Sequence, residues 1–259
     1  MASIDTAVGK IGLIDQGDGN PPIVFLHGVG SDKSVWAPQI AHFEQGRRAI
    51  AFDYPGYGES DFQDHADRED YAEAIWAALD ALSVGRAHLC GLSLGGVIAI
   101  AMQARMPERC ESLIIADSFA VHPDGQGIYD RSVAASRSMT MRELAEARTG
   151  LLLGKATSDS LRREVIDTMG AIDAEAYRVG AAAVWLADQR DRAAAIDVPT
   201  LVLVGEEDVV TPPSLSEELA RLIPGAALET IAGAGHLANA EQPRAFNAAI
   251  ESFLSRQGY

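Results

Sequence analysis

The sequence predicts an α/β fold: a mostly parallel sheet flanked by helices, with a helical cap inserted into it. Short apolar or β-branched runs alternate with longer stretches of helical periodicity, and this alternation is typical of right-handed βαβ units. Between residues 119 and 195 helical patterns continue without a convincing strand. We therefore expect one sheet domain, residues 1–118 and 196–259, with residues 119–195 inserted as a cap over the carboxyl ends of the strands.

The elements of the core follow from these patterns in order along the chain. Apolar runs predict buried strands at residues 22–26, 48–52, 87–90, 112–116, 200–204 and 227–231. Helical periodicity predicts helices at residues 70–82, 93–105, 214–222 and 242–254. Within the cap, the same periodicity predicts helices at residues 141–153 and 158–169.

The composition is that of an ordinary globular protein, with 47% hydrophobic and 22% charged residues. A net charge of −16 argues against nucleic acid or an anionic membrane surface as a partner. No apolar run approaches the roughly 18 residues of a membrane helix, and the first residues lack a signal-peptide pattern. Cys90 and Cys110 have no metal-type spacing, which favours free thiols in a reducing compartment. We expect a cytoplasmic protein, and we make no prediction of its oligomeric state.

A candidate nucleophile lies in the segment 91–96, whose sequence is Gly-Leu-Ser-Leu-Gly-Gly. A Gly-x-Ser-x-Gly pattern between a strand and a helix indicates a tight, strained turn that exposes the serine hydroxyl at the top of a sheet. The glycines allow the backbones to approach closely. A chance match in a loop is the alternative interpretation, and the strand before and the helix after the pattern disfavour it. Ser93 is therefore the predicted nucleophile.

A serine needs a base, and the base needs an orienting acid. Asp208 follows the predicted strand 200–204, and His236 follows the last predicted strand. The order Ser93, Asp208, His236 is the order expected for this motif class. Asp117 is a second candidate acid, which we consider weaker. The remaining histidines are predicted at surface, strand or loop-holding positions, and they are His27, His42, His65, His88 and His122.

Acyl transfer places negative charge on a carbonyl oxygen, so two N–H donors must point at it. The backbone amide of Leu94, next to the nucleophile, is one predicted donor. The other is the amide of Val29, in the loop 27–31, where small residues let the chain turn toward the serine. This loop has neither the P-loop lysine–hydroxyl pair nor a Gly-x-Gly-x-x-Gly pattern, so it does not predict a phosphate site. The turn at residues 53–60 is expected to support the site from below.

These residues predict a serine hydrolase of small carboxylic esters or lactones that uses neither a metal nor an organic cofactor. Hydrolysis of a C–C bond and cofactor-free perhydrolysis are alternatives, because both use the same triad. Dehalogenases and epoxide hydrolases are disfavoured, because they place an aspartate where this chain has Ser93. A non-enzymatic receptor that binds a small signal molecule is the rival of a different class. Measured turnover separates the receptor from the enzymes.

The chain resembles the α/β-hydrolase superfamily over essentially its whole length. The segments that carry this resemblance are 27–30, 53–60, 91–96, 208–212 and His236. It is more closely similar to the 3-oxoadipate enol-lactonase and carboxylesterase-like group, through the segments 34–39, 196–201 and 236–243. The resemblance implies the α/β-hydrolase fold, the triad and a small ester or lactone as substrate.

The cap departs from the pattern of those lactonases. A tryptophan-containing start and a Trp-Phe pair are expected there, whereas this chain has Gly-Ile-Tyr at 127–129 and three leucines at 151–153. The cap is also rich in arginine. Most of these arginines are predicted to lie on solvated helix faces, and one or two would attract an anionic substrate; they include Arg131, Arg137, Arg142, Arg148 and Arg178.

Overall fold

An eight-stranded sheet forms the centre of the protein. The computed structural model describes residues 2–63 and 66–259, so His65 lies outside the described residues. The strands are β1 (Ala2–Thr6), β2 (Gly9–Gln16), β3 (Ile23–Leu26), β4 (Ala49–Phe52), β5 (Ala87–Leu92), β6 (Cys110–Ala116), β7 (Thr200–Gly205) and β8 (Ala227–Ile231).

The strand order across the sheet is β1-β2-β4-β3-β5-β6-β7-β8. Strand β2 is antiparallel to both of its neighbours, and all the other pairs are parallel. The prediction of a mostly parallel sheet is therefore confirmed. The hairpin of β1 and β2 was not among the predicted strands. Every residue of β3, β4, β5 and β7 is buried, as expected for strands that helices cover on both faces.

The described residues form helices of four to fourteen residues. They are α1 (Ala37–Phe43), α2 (Arg68–Ala81), α3 (Leu94–Arg105), α4 (Gly125–Ser138), α5 (Met141–Leu152), α6 (Asp159–Gly170), α7 (Ala174–Trp185), α8 (Arg190–Ala194), α9 (Pro213–Leu222), α10 (Ala238–Glu241) and α11 (Pro243–Arg256). None of these helices is long and apolar enough to cross a membrane.

Side-chain caps set where several helices begin. The Asp67 side chain accepts hydrogen bonds from the first turn of α2, and Asp70 bonds back to the Asp67 amide. This capping box starts the helix two residues before the predicted position 70. Thr140 and Glu143 form the same arrangement at the start of α5. The helical period thus indicates that a helix exists, and the capping residue fixes its first residue.

The segment between β6 and β7, which we call the helical insert, consists of α4 to α8. It leaves and rejoins the sheet domain at one place. Val121 pairs with Asp188 in an isolated bridge, and the Gln189 amide donates to Ala120 O at 2.8 Å. The Gln189 side chain also donates to Val97 O of α3, at 2.8 Å. The two ends of the helical insert are therefore attached to each other and to α3, the helix that follows Ser93.

Candidate active site

Ser93 lies between the end of β5 and the start of α3, on a strained turn. Its φ of 55° and ψ of −113° are outside the regions that a serine ordinarily adopts. A side chain on Gly91 would come closer than 3.0 Å to Gly95 O, and one on Gly95 would overlap Leu26 O in the same way. The two glycines of the motif are therefore required by close backbone contacts on either side of the serine.

We expect Gly95→Ala to destabilise the protein strongly. The added methyl group would overlap the main chain of β3, which cannot move without distorting the sheet. Overpacking of this kind should lower the free energy of unfolding by about 3 kcal/mol or more. Gly85→Ala is the matched control, because a side chain there meets nothing within 4 Å. Urea unfolding followed by circular dichroism measures both, and an equal midpoint for the two variants would contradict the packing argument.

The loop that follows β3 is held close to Ser93 by tyrosines of the turn at 53–60. Tyr54 donates to His27 O at 3.0 Å, and Tyr57 donates to Val29 O at 3.3 Å. A β-carbon on Gly28 would lie 3.5 Å from Ser93 Cβ, so the loop runs against the serine. The turn therefore supports the loop by binding its carbonyl oxygens. Within the loop, the Ser31 amide donates to Gly28 O at 3.2 Å.

Val29 and Leu94 are the predicted oxyanion donors. Leu94 is the first residue of α3, and the first amides of a helix have no partner within the helix. Among the hydrogen bonds of the described residues, none uses the amide of Val29 or that of Leu94. Val29 and Ser93 line the same cavity. Two unused main-chain donors are thus available on the two chain segments that flank the serine hydroxyl.

Asp208 and His236 form a buried hydrogen-bonded pair. The distance from His236 Nδ1 to Asp208 Oδ2 is 2.8 Å, and the exposed fractions of the two side chains are 5% and 0%. Because Nδ1–H donates to the carboxylate, Nε2 is the unprotonated nitrogen of the neutral ring. His236 lines the cavity that also contains Ser93. The structure therefore brings together the three residues that the sequence selected.

Thr211 completes the environment of the Asp208 carboxylate. Its hydroxyl donates to Oδ2 at 2.7 Å, and the amides of Val210 and Thr211 donate to Oδ1 at 2.7 and 3.0 Å. Burial acts to raise the pKa of Asp208, but attraction to His236 and these hydrogen bonds outweigh burial and lower it. The carboxylate therefore stays ionised beside the imidazole.

Asp117, the second candidate acid, has a different environment. It is buried, adopts a φ of 47°, and accepts a hydrogen bond from the Gly205 amide at 2.7 Å. Burial, and then the charge of Asp208, raise the pKa of Asp117 well above its ordinary value. Among the described residues the carboxylate that bonds to His236 is that of Asp208. This geometry favours Asp208 over Asp117 as the orienting acid.

The cavity at Ser93 and His236 is small and shares lining residues with two larger ones. It has a volume of about 20 Å³, and the helical insert closes it with Arg148, Leu152, Val165 and Trp185. On one side it shares residues with a cavity of about 500 Å³ whose walls are rich in serine and threonine. On the other side it shares residues with a mostly apolar cavity of about 360 Å³. The two larger cavities therefore lie next to the small cavity, and each borders it through a different set of residues.

The helical insert is attached to the loop that carries His236. Glu241 accepts hydrogen bonds from the amides of Gly154 and Gly235, at 2.7 and 2.9 Å, and from the Thr157 hydroxyl. Gly154 and Thr157 belong to the insert, whereas Gly235 directly precedes His236. One carboxylate thus joins the two chain segments.

Two further hydrogen bonds involve the same part of the insert, residues 152–157, which we call the clamp segment. The His236 amide donates to Leu152 O at 2.8 Å. The Lys155 amide donates to the Glu207 side chain at 2.8 Å, and Glu207 directly precedes Asp208. The clamp segment therefore contacts both loops that carry the hydrogen-bonded pair.

We expect Glu241→Ala to lower the free energy of unfolding by about 2 kcal/mol, because three donors lose a charged acceptor. Glu241→Gln should have a smaller effect, since its amide oxygen still accepts. Glu217→Ala, at an exposed position of α9, is the control. Urea midpoints measure the effect, and a native midpoint for Glu241→Ala would contradict the role of the carboxylate.

Some residues around the site were not found by the sequence interpretation. Thr211 lies in the segment 208–212, but no role is predicted for it from the sequence. Hydrogen bonds from an aspartate side chain to residues shortly after it are nevertheless a common local pattern, and Thr211 makes one with Asp208. Leu152, Val165 and Trp185 line the cavity from the insert. No sequence signal distinguishes them from other apolar residues. Among the described residues, no group of three or more His, Cys, Asp or Glu is arranged to hold a metal ion.

Comparison with known proteins agrees with this architecture. The family model described as alpha/beta hydrolase fold matches residues 21–243. A 3-oxoadipate enol-lactonase of Acinetobacter baylyi is 30% identical over 236 residues, which cover 90% of this chain and 88% of that protein.

Two solved structures are similar over nearly the whole chain. The enol-lactonase from Burkholderia xenovorans has a TM-score of 0.89 at 29% identity, covering 98% of this chain and 100% of that one. A thermophilic esterase from Thermogutta terrifontis has a TM-score of 0.91 at 27% identity, covering 98% of each chain. The protein therefore belongs to the α/β-hydrolase family, and within it is a carboxylic ester hydrolase of the esterase and lactonase type.

Proposed function

We propose that the protein hydrolyses a small carboxylic ester or lactone through a triad of Ser93, His236 and Asp208, with neither a metal nor an organic cofactor. The observation that carries the proposal is the buried Asp208–His236 hydrogen bond of 2.8 Å, in a cavity that Ser93 also lines. A carboxylate on Nδ1 leaves Nε2 free to act as a base. The esterase and lactonase relatives support the same reaction class.

In the first half of the reaction, His236 Nε2 takes the proton of the Ser93 hydroxyl as Oγ attacks the substrate carbonyl carbon. The imidazolium that forms is stabilised by the ionised Asp208. It then gives its proton to the alcohol oxygen as the carbon–oxygen bond breaks. This leaves an acyl group on Ser93; in a lactone the alcohol stays attached to that acyl group.

In the second half, a water molecule attacks the acyl carbon and gives its proton to His236. The carbon–Oγ bond breaks, the proton returns to Ser93, and the carboxylic acid leaves. In both halves the carbonyl oxygen becomes negatively charged. The amides of Val29 and Leu94 stabilise this charge, and losing one such donor typically costs about 10²–10³-fold in rate.

In this proposal the helical insert, predicted over residues 119–195, acts as a cap. Its contributions to the cavity wall, at Arg148, Leu152, Val165 and Trp185, support this role. The substrate is then selected by the insert, while the sheet domain supplies the reacting groups. A small-molecule substrate, no nucleic-acid or membrane partner and a cytoplasmic location stay predictions. The buried free thiols of Cys90 and Cys110 are compatible with the reducing compartment that the last of these predictions assumes.

Trapping the acyl-enzyme tests the proposal. The protein is mixed with straight-chain 4-nitrophenyl esters, quenched in acid within milliseconds, and analysed by intact mass and by peptide mapping. We expect the mass of one acyl group, located on Ser93. In parallel, turnover is measured for a panel of acyclic esters, γ-lactones and enol-lactones. An acyl group on another residue, or no turnover of any ester or lactone, would overturn the proposal.

A further inference from the structure

The cavity of about 500 Å³, which we call the polar cavity, shares Gly30, Ser31 and Val165 with the small cavity at the candidate nucleophile. Its volume is within the range of sites that hold a small molecule. Hydroxyl groups come from both of its sides, the loop after β3 and the helical insert. The residues that carry them are Ser31, Ser34, Thr157, Ser158, Ser160 and Thr168.

The polar cavity borders the chain on both sides of His236. Gly233 and residues 240–243 line it, and they precede and follow the histidine in the sequence. The apolar cavity is lined instead by the helical insert and by residues 209–210. In the proposed reaction the imidazolium of His236 gives its proton to the oxygen of the leaving alcohol. The polar cavity is therefore the neighbouring space that suits the alcohol part of the substrate.

Ser31 offers a hydroxyl group to whatever fills this space. The residue is 6% exposed and lines both the small cavity and the polar cavity. Its Oγ makes no hydrogen bond to the described residues, and the same holds for the hydroxyls of Ser34 and Thr168. Because buried polar groups are nearly always hydrogen-bonded, the Ser31 hydroxyl needs a partner from outside the chain.

The charge of the wall disfavours an ionised alcohol. No lysine, arginine or histidine is among the described residues that line the polar cavity, whereas Glu164 and Glu241 add carboxylates to it. The net charge of −16 repels anions further. A quaternary ammonium group is also poorly matched, because such groups are recognised by aromatic rings and the described lining contains none.

We propose that the polar cavity binds a neutral alcohol with several hydroxyl groups, so that the enzyme acts on esters of polyols, with Ser31 and Thr168 as partners of the alcohol. The inference rests on the proposed function, because it takes His236 as the group that protonates the leaving oxygen. A polyol both donates to and accepts from serine and threonine hydroxyls. A plain alkyl alcohol would displace water from these hydroxyls and leave them without partners.

The test compares 2,3-dihydroxypropyl butyrate with n-propyl butyrate, which differ only in two hydroxyl groups on the alcohol. Each kcat/KM is divided by the rate constant for alkaline hydrolysis of the same ester, which removes the difference in reactivity of the leaving groups. For the native protein we expect this normalised value to be at least about fivefold higher for the dihydroxypropyl ester, as two neutral hydrogen bonds allow. A smaller ratio overturns the inference.

Two charged esters test whether the site selects a neutral alcohol. They are butyrylcholine, with a cationic alcohol, and butyryl glycolate, whose alcohol carries a carboxylate. The normalised kcat/KM of each should be at least about threefold lower than that of the dihydroxypropyl ester. A smaller difference for either one overturns the inference.

Variants then assign the preference to the polar cavity. The double variant Ser31→Ala, Thr168→Val should lower kcat/KM for the dihydroxypropyl ester by about 5- to 30-fold and change that for the propyl ester less than twofold. Ser214→Ala with Thr230→Val is the matched control, because both residues are exposed on other elements. An equal loss for both esters, or an unchanged ratio between them, overturns the inference.

The two possible failures are distinguishable. If the proposed function is wrong, neither butyrate ester is turned over, or turnover persists in Ser93→Ala. If only the inference is wrong, both esters are hydrolysed through Ser93 with similar normalised rates, and the double variant leaves their ratio unchanged.

Discussion

Ser93→Ala should lower kcat by about 10⁴-fold or more toward every ester and lactone that the native protein cleaves. The substitution removes the hydroxyl that attacks the carbonyl in the proposed mechanism, and that mechanism then allows no acyl-enzyme to form. Residual rate would come only from substrate binding and the oxyanion donors. Initial rates at saturating substrate, together with the loss of labelling by a fluorophosphonate, measure the effect.

Ser138→Ala is the matched control, because Ser138 is exposed at the end of α4 and its hydroxyl bonds only to main-chain carbonyls of its own helix. It should keep native rates and labelling. The Ser93 hydroxyl makes no hydrogen bond to the described residues, so its removal should leave the urea midpoint close to native. If Ser93→Ala retains most of its activity toward all substrates, the acyl-enzyme mechanism is wrong.

Asp208→Asn should lower kcat by about 10⁴-fold, a magnitude known for the equivalent change in a serine protease. An amide presents an N–H to His236 Nδ1 in place of a charged acceptor. The imidazole is then held with its proton on Nε2, where it cannot accept the proton of Ser93. Steady-state kinetics across pH 6 to 9 provides the measurement, and a kcat near the native value would exclude Asp208 as the orienting acid.

Asp117→Asn is the comparison that separates the two candidate acids, and it should retain most of the activity.

The effect of Asp117→Asn on stability depends on pH. Because the folded pKa of Asp117 is raised, the stability from its protonated form is fully present below the unfolded pKa of about 3.9 and is lost as pH rises through the folded value. Asparagine imitates the neutral carboxyl group, so the variant should gain stability over the native protein at pH 8 and gain little at pH 4. Urea midpoints at the two pH values test the sign.

Much of the fold was predictable because its strands are buried on both faces. The runs at β3, β4, β5 and β7 are continuously apolar, and such runs stand out in a sequence. Strand β2 is buried only at its centre, from Ile11 to Leu13, so its flanks look like a loop. It becomes a strand by pairing with β1 and β4, which is a tertiary effect.

The helical insert was harder to predict for a related reason. The fully buried residues of α4 are Gly125, Ser132 and Ser136, which are small. Its apolar residues Ile128, Tyr129 and Ala135 are only half-buried against the core, so the apolar stripe of this helix is weak. Small residues permit close packing against a neighbouring helix, but that partner is not visible in the local sequence. Helix α5, with Leu144 and Leu152 on its buried face, has the stripe and was predicted.

In the candidate site, some residues can be predicted from a local sequence motif, whereas others depend on contacts between distant segments of the chain. The turn at Ser93 is specified by the serine and the glycines beside it, so a single short segment of sequence is enough to predict it. Which arginines of the insert pair with acids depends on contacts that the local sequence does not show. Asp167, the partner of Arg142, is on the next helix, and such pairings arise only after the chain has folded. Residue type therefore predicts a class of reaction, whereas the pairing of side chains around the cavity depends on tertiary contacts.

The clamp segment affects the outcome when the helical insert is exchanged between related enzymes. Residues 152–157 would move with the exchanged piece, whereas Glu207 and Glu241 would stay behind with the loops of Asp208 and His236. A chimera with a foreign insert would therefore change the support of its general base together with its specificity. Grafts that keep residues 152–157 of the recipient should preserve kcat, and those that replace them should lose it. Specificity can therefore be changed without loss of rate only when the clamp segment of the recipient is kept.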